Sequence, residues 1–378
     1  MIKTDKIPSP CYVIDEILLR KNLEIIQNVA KEAKLEIIIA YKAFALWKVF
    51  PILKEYINGA AASSVYEARL AFEEMYCKAH TYAPVYSPNS FNEILKYSKY
   101  ITFNSINQFN FFIPYIQKSG KKVSLGLRIN PEYSAVKTGL YNPCSLGSRL
   151  GIISENMPDK LPSEIEGLHI HNLCESDSYA LERTMDAVEK KFGEYLKKLK
   201  WINFGGGHLI TKNDYDIEHL ISILKSFKKK YNLEIILEPG AAFVWETGYL
   251  VSTVFDIIEN KNIKTAILDI SFTAHMPDCL EMPYKPNIIG AIDEVSRKPT
   301  YRFGGNSCLA GDFVGNWSFN HELKIGEKII FKDMIHYTMV KTTMFNGVNH
   351  PSIGIWTKDN RFELFRKFDY KDYKNRLS

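Results

Sequence analysis

The chain has 378 residues, of which 48 are lysine or arginine and 43 aspartate or glutamate, for a formal charge of +5. A hydrophobic fraction of 46% and a charged fraction of 24% are those of a globular protein. The mild basic excess argues against a nucleic-acid partner, because lysine runs such as Lys228-Lys229-Lys230 fall on helix-like stretches that read as solvated faces.

No apolar segment approaches the length of a membrane span, and the opening "MIKTDKIPSP" lacks a signal-peptide core. The six cysteines are scattered with no C-x-x-C pair. That spacing argues against a zinc site and against a disulfide framework, so reducing cytoplasm is the expected compartment.

In chain order, "SPCYVID" is strand-like and precedes a helix expected over Glu16–Ala33. Short β-rich runs then alternate with amphipathic stretches. The expected strands are Leu35–Lys42, Gly59–Ser64, Lys78–Tyr86, Lys99–Ser105, Lys122–Ile129, Ile165–Asn172, Leu199–Phe204 and Leu233–Glu238. Most are continuous apolar runs, as expected of parallel strands covered on both faces. Helical patterns lie between them, among them Val65–Glu74, Ile106–Ser119, Ala180–Lys197 and Ile217–Tyr231. Eight strand–helix units predict an α/β fold, a (β/α)8 barrel, with a doubly wound open sheet as the competitor.

After about Thr247 the pattern changes. "YLVSTVFDIIE", "TAILDIS", "EKIIFKDM" and "HYTMVKTTMFNG" read as strands with turn signals and little helix between them. The expected organisation is a barrel over residues 17–247 and a β-sandwich or β-barrel domain formed by 1–16 with 248–378. The opening strand would return to that second domain.

Barrel enzymes place their chemistry at the carboxyl ends of the strands. Those ends carry Lys42, Ser63 and Ser64, Arg128, His169 and His171, Gly205-Gly206-Gly207, and Glu238. Each has a plainer reading. Lys42 at the end of "LEIIIAYKAF" can be a solvated strand end, His169 a core histidine, "NFGGGH" a flexible loop. Together they match a cofactor with one phosphate, a flat ring, an electrophile for the lysine and a basic atom for the glutamate. Glycine amides without a Cβ admit close approach of a phosphate. Pyridoxal 5′-phosphate meets all four demands.

The segments "SPCYVID", "AYKA", "SSVYEARLA", "LRINP", "GLHIHN", "NFGGGH", "LEPGAAFVWETG", "HMPDCLEMPY", "GNSCLAGD" and "YTMVKTTMFNG" occur in that order over nearly the whole length. In these the chain resembles the fold-type III pyridoxal-phosphate decarboxylases, the alanine-racemase-like group that includes ornithine and diaminopimelate decarboxylases. Within the group it is most similar to the carboxynorspermidine decarboxylase branch. The resemblance implies that Lys42 binds the cofactor covalently, His169 stacks on its ring, Gly205, Gly206 and Gly207 hold its phosphate, and Glu238 bonds its ring nitrogen. It implies a phosphate contact from Tyr337. It also matches Cys308 and Asp312 to a C-x-x-x-D that relatives insert into a partner subunit's site, which implies a homodimer with shared active sites.

Three positions depart from the family's pattern. Ala241 stands where E-P-G-R has arginine, His171 where H-x-G-S has glycine, and Leu309 where ornithine and diaminopimelate decarboxylases carry an acid that grips a distal amine. Leu309 moves the expected substrate from those amino acids toward longer polyamine precursors. Asp278 and Glu281 in "HMPDCLEMPY" are candidates for their outer amines, or else solvated loop carboxylates. The expected reaction is decarboxylation of carboxynorspermidine and carboxyspermidine, with Cys308 returning a proton to the α-carbon. A decarboxylase of ornithine or diaminopimelate is the alternative. A racemase of the same fold is opposed by Glu238, since racemases present arginine there, and a non-catalytic carrier barrel by the long strand-rich second domain.

Overall fold

The computed structural model describes residues 3–378. The chain forms two compact units, one of Asn22–Phe243 and one that joins the segment up to Lys21 with Val244–Ser378.

In the first unit the strands are Glu36–Ile37 continuing into Ile39–Ala40, Ala60–Ala62, Ala79–Tyr82, Ser98–Phe103, Ser124–Arg128, Ile165–His169, Trp201–Asn203 and Glu234–Leu237. All neighbouring pairs are parallel. The two short pieces at 36–40 stand at opposite ends of the strand order. They are halves of one pass, interrupted at Ile38, whose N–H donates to Leu237 O while Ile39 N–H donates to Gly59 O. The first strand therefore bonds both the last and the second, and the sheet closes on itself. Closure excludes the open doubly wound sheet.

The barrel's filling shows why these sequences close. Trp201 packs with Ile38, Ala40, Ala61 and Ile236. Its ring lies over Gly167 and Gly126 of the two preceding strands, where an added Cβ would come within 2.0 and 2.4 Å of it. One large ring thus fills the volume that two missing side chains vacate. Its indole N–H donates to Ser124 Oγ at 2.8 Å, so the one polar atom of the ring is satisfied. Helices re-enter from the strand ends with side-chain caps. Ser64, Ser105, Asp177 and Asp216 each accept a backbone N–H of the first helical turn, a bond worth about 1 kcal/mol at each start.

In the second unit the opening strand Cys11–Asp15 lies inside the sheet. It pairs antiparallel with Gly248–Asn260, Cys11 opposite Val251, and parallel with Ser352–Trp356, Cys11 opposite Ser352. Cys11, Val13, Val251 and Trp356 share one apolar cluster with Ile7, which explains the uninterrupted apolar run at the chain's start. Among the described residues the sheet has nine strands. Its long member, Gly248–Asn260, pairs with Lys328–Lys332 along its first half and with Ile263–Leu268 along its second. A register shift between Val254 and Asp256 marks the change of partner, the usual work of a bulge.

One expectation fails here. "HYTMVKTTMFNG" is not a strand: Tyr337–Val340 is a short α-helix and Phe345–Gly347 a single 3-10 turn. Its β-branched and aromatic residues favour a strand, but tertiary bonds decide otherwise. Thr338 Oγ1 donates to the buried Asp278 carboxylate at 2.7 Å, and Thr343 N–H donates to Ala274 O at 2.8 Å. Among the described residues no helix is long and apolar enough to cross a membrane.

Candidate active site

Parallel closure brings the carboxyl ends of the strands to one mouth, and the polar residues of the barrel gather there. Tyr82, Arg128, His169 and Asn203 each end a strand, Glu238 follows one directly, and Lys42 and His171 lie two residues beyond theirs.

Glu238 is the centre of the group. Its side chain is 13% exposed. Asn203 Nδ2 donates to Oε1 at 2.6 Å, His80 Nδ1 lies 3.5 Å from the same oxygen, and His169 Nε2 lies 3.5 Å from Oε2. Burial alone would raise the carboxyl's pKa. The bonds and charge interactions with His169, then His80, outweigh it and hold the group well below the usual carboxylate range. Burial pushes His169 downward, against the bond and charge of Glu238, which raise it. Asn203 is fixed in turn, since its Oδ1 accepts Gly205 N–H and its amide lies 3.0 Å from His80 Nδ1. His80 packs its ring on Tyr100, centroids 3.7 Å apart.

Lys42 faces His171, with Nζ 2.7 Å from Nε2. Burial, and next the charge of Arg128, lower Lys42 to about 8. Arg128 is itself buried, donates Nη2 to His171 O at 2.9 Å, and stacks on Tyr82 with Cζ 4.6 Å from the ring centroid. Gly206 N–H donates to His171 Nδ1 at 2.9 Å. Gly205 and Gly207 have φ of +66° and +91°, the left-handed region that favours glycine. Their missing Cβ atoms leave room for Ile170 O and Leu173 O, at 2.3 and 2.2 Å from where a Cβ would stand. The glycine turn is therefore required by close strand-end packing, whatever else it holds.

Some expected residues have structural work. Ser64 caps the helix Val65–Leu70, and Ser63 N–H donates to Glu67 Oε2 at 2.6 Å. In the second unit Asp312 is buried, accepting Thr273 N–H, Ser307 N–H and Ser307 Oγ–H. Those bonds fold the Gly305–Asp312 loop that presents Cys308, whose own N–H donates to Asn346 Oδ1 and whose side chain is exposed. Asp278 accepts Tyr284 O–H at 2.9 Å beside Thr338. Glu281 is ion-paired with Lys341 at the surface. Tyr337, half-buried, opens its short helix against the ring of His336.

Sequence reading overlooked His80, Tyr82 and Asn203. Asn203 stands in the "NFGGGH" segment two residues from Trp201, and period-two alternation puts it on the barrel's inner side. His80 had no motif to flag it.

A family model described as "Pyridoxal-dependent decarboxylase, C-terminal sheet domain" matches residues 11–335. The chain belongs to the pyridoxal-dependent decarboxylases. It is 49% identical to the carboxyaminopropylagmatine decarboxylase of Synechocystis sp., over 99% of this chain and 97% of that one. It is 42% identical to the carboxynorspermidine/carboxyspermidine decarboxylase of Campylobacter jejuni, over 98% of each. A crystal structure of Campylobacter jejuni carboxynorspermidine decarboxylase with norspermidine superposes at TM-score 0.90 and 41% identity, covering 98% of this chain and all of that one. Diaminopimelate decarboxylase from Helicobacter pylori, 18% identical at TM-score 0.82, shares the fold. The resemblance carried by the sequence segments to this decarboxylase family therefore holds over its whole span.

The residues at the barrel mouth fit the cofactor of that family. An ionised buried carboxylate suits a basic ring nitrogen, and a lysine lowered to about 8 suits an aldehyde. His80 Nε2 and His169 Nδ1 are buried with no hydrogen-bond partner among the described residues.

The buried histidine of "NFGGGH" also makes the barrel sensitive to acid. Burial lowers His208 to about 4 from an ordinary value near 6.5. Between those values the unfolded chain takes up a proton that the folded one refuses, so stability falls as pH drops through about 6.5. At pH 5 the loss from this group is about 2 kcal/mol. Urea unfolding at about pH 7 and pH 5 should show wild type losing about that much more than His208→Gln. Equal losses in both proteins would contradict it.

Proposed function

We propose that the protein is a pyridoxal-phosphate carboxy-lyase that decarboxylates carboxynorspermidine and carboxyspermidine, giving norspermidine and spermidine. The observation that carries the reading is the full-length similarity to a carboxynorspermidine/carboxyspermidine decarboxylase, joined to a barrel mouth with one activated lysine and one ionised glutamate.

Bound pyridoxal phosphate supplies an electrophilic carbon and a ring that accepts the electron pair left when carbon dioxide departs. Lys42 would hold the cofactor covalently, and its displacement would leave that position to the substrate's α-amine. Glu238, kept ionised by Asn203, His80 and His169, holds a proton on the ring nitrogen, and a protonated ring withdraws electrons better. His169 would pack against the ring. Gly205, Gly206 and Gly207 would hold the phosphate. Asp278 and Glu281 are proposed for the outer amines of the substrate. For Asp278 this adds to its bonds to Tyr284 and Thr338, and for Glu281 it competes with Lys341.

A second reading is favoured by the 49% identity to a carboxyaminopropylagmatine decarboxylase. Both substrate types share an α-amino carboxylate joined through a secondary amine to a terminal cation. They differ in whether that cation is an ammonium or a guanidinium. Neither leaves a short cationic side chain at Leu309, where the loss of a charge partner costs about 2–5 kcal/mol. Measured kcat/KM should favour carboxynorspermidine and carboxyspermidine over ornithine and meso-diaminopimelate by about 30-fold or more. Carboxyaminopropylagmatine ranking first would decide for the second reading. Ornithine or diaminopimelate ranking first would defeat both.

Cys308, on its exposed loop, is proposed to protonate the α-carbon in the site of a second copy, the loop being braced by Asp312. The working unit is then a homodimer. Mixing inactive Lys42→Ala with inactive Cys308→Ala protein should restore part of the activity, because some mixed dimers keep one intact site. Mixtures that stay inactive while subunits demonstrably exchange would rule this arrangement out.

A further inference from the structure

We propose that His171 is a positioning residue that favours the uncharged, nucleophilic form of Lys42. The inference rests on the reading that Lys42 binds the cofactor, and it gives a role to the imidazole that stands where the family's pattern has glycine.

The argument is one of donors and acceptors. Gly206 N–H points at His171 Nδ1 from 2.9 Å. An amide N–H can only donate, so Nδ1 must carry a lone pair. In a neutral imidazole the ring proton then sits on Nε2. Nε2 faces Lys42 Nζ at 2.7 Å. A lysine ammonium has three donors and no acceptor, so Nε2–H against a charged Lys42 would set donor against donor. An imidazolium would repeat the conflict at Nδ1 and Gly206. One arrangement satisfies both contacts: Gly206 N–H donates to Nδ1, and Nε2–H donates to the lone pair of an uncharged amine. Forming a bond to carbon uses that lone pair, which an ammonium lacks.

The surroundings agree. Arg128 adds a positive charge that opposes an ammonium at Lys42, while Glu238, Cys174 and Glu67 act the other way and are outweighed. His171 feels burial first, then Lys42, Arg128 and His169, with Glu238 opposing, and lies well below its usual range. Arg128 also fixes the histidine's place by donating to His171 O. The glycine turn sets the tautomer, and the tautomer sets the amine.

The test labels the full-length, cofactor-free protein with trace acetic anhydride from about pH 6 to about pH 10 and quantifies acetylated Lys42 by mass spectrometry. Wild type should show a midpoint near pH 8. His171→Gln, which keeps an N–H donor near Nε2, should stay within about threefold of wild type. His171→Leu should move the midpoint up by about one pH unit and cut labelling at pH 7 about tenfold. A folded leucine variant with the wild-type profile overturns the proposal, even where borohydride fixes the cofactor on Lys42. An adduct on another lysine would overturn the functional reading instead. Should the leucine variant fail to fold, the 15N shifts of His171 in wild type decide, with Nε2 protonated and Nδ1 bare in support and the reverse against.

Discussion

The site depends on keeping one negative charge ionised inside a closed barrel. Glu238 is mostly withdrawn from water, where an isolated carboxylate would instead take up a proton. It stays charged because three neighbours turn N–H groups or imidazoles toward it: Asn203, His80 and His169. Removing one hydrogen-bond partner of such a charged buried group typically costs about 1.5–3 kcal/mol. The neighbours are placed by parallel strands that all end at one mouth, so sheet closure, through Ile38 and Gly59, is what makes the charge sustainable.

The same constraint divides the labour among residue types. Glu238 needs stabilising partners, and the barrel supplies the amide of Asn203 and turns the rings of His80 and His169 toward it. Lys42 needs the opposite, an environment that penalises its charge, and receives burial with Arg128 nearby. Asn203 links the two halves of the mouth. Its carbonyl takes Gly205 N–H, while the next glycine's N–H goes to His171. A glycine turn in this barrel is thus part of the hydrogen-bond wiring.

Much of this was legible in the residues. Continuous apolar runs marked the eight barrel passes because strands covered on both faces have no need to alternate. Their carboxyl ends led directly to Lys42, Arg128, His169, His171 and Glu238. His80 stayed hidden because it sits within a strand, where a lone histidine reads as core, and only the structure reveals the carboxylate beside it. The helix at Tyr337–Val340 was misread for a related reason. Local propensity favoured a strand, and the bond that overrules it comes from Asp278, sixty residues away. Closure too was beyond the sequence, since strand count does not say that the first strand bonds the last.

The account's central claim is that Glu238 remains ionised and keeps the cofactor's ring nitrogen protonated. Solid-state or solution NMR of enzyme loaded with pyridoxal phosphate labelled with 15N in the ring reads that proton directly. The account predicts the shift of a protonated ring nitrogen in wild type and of an unprotonated one in Glu238→Gln. An unprotonated nitrogen in the wild-type enzyme, with Glu238 in place, would contradict it.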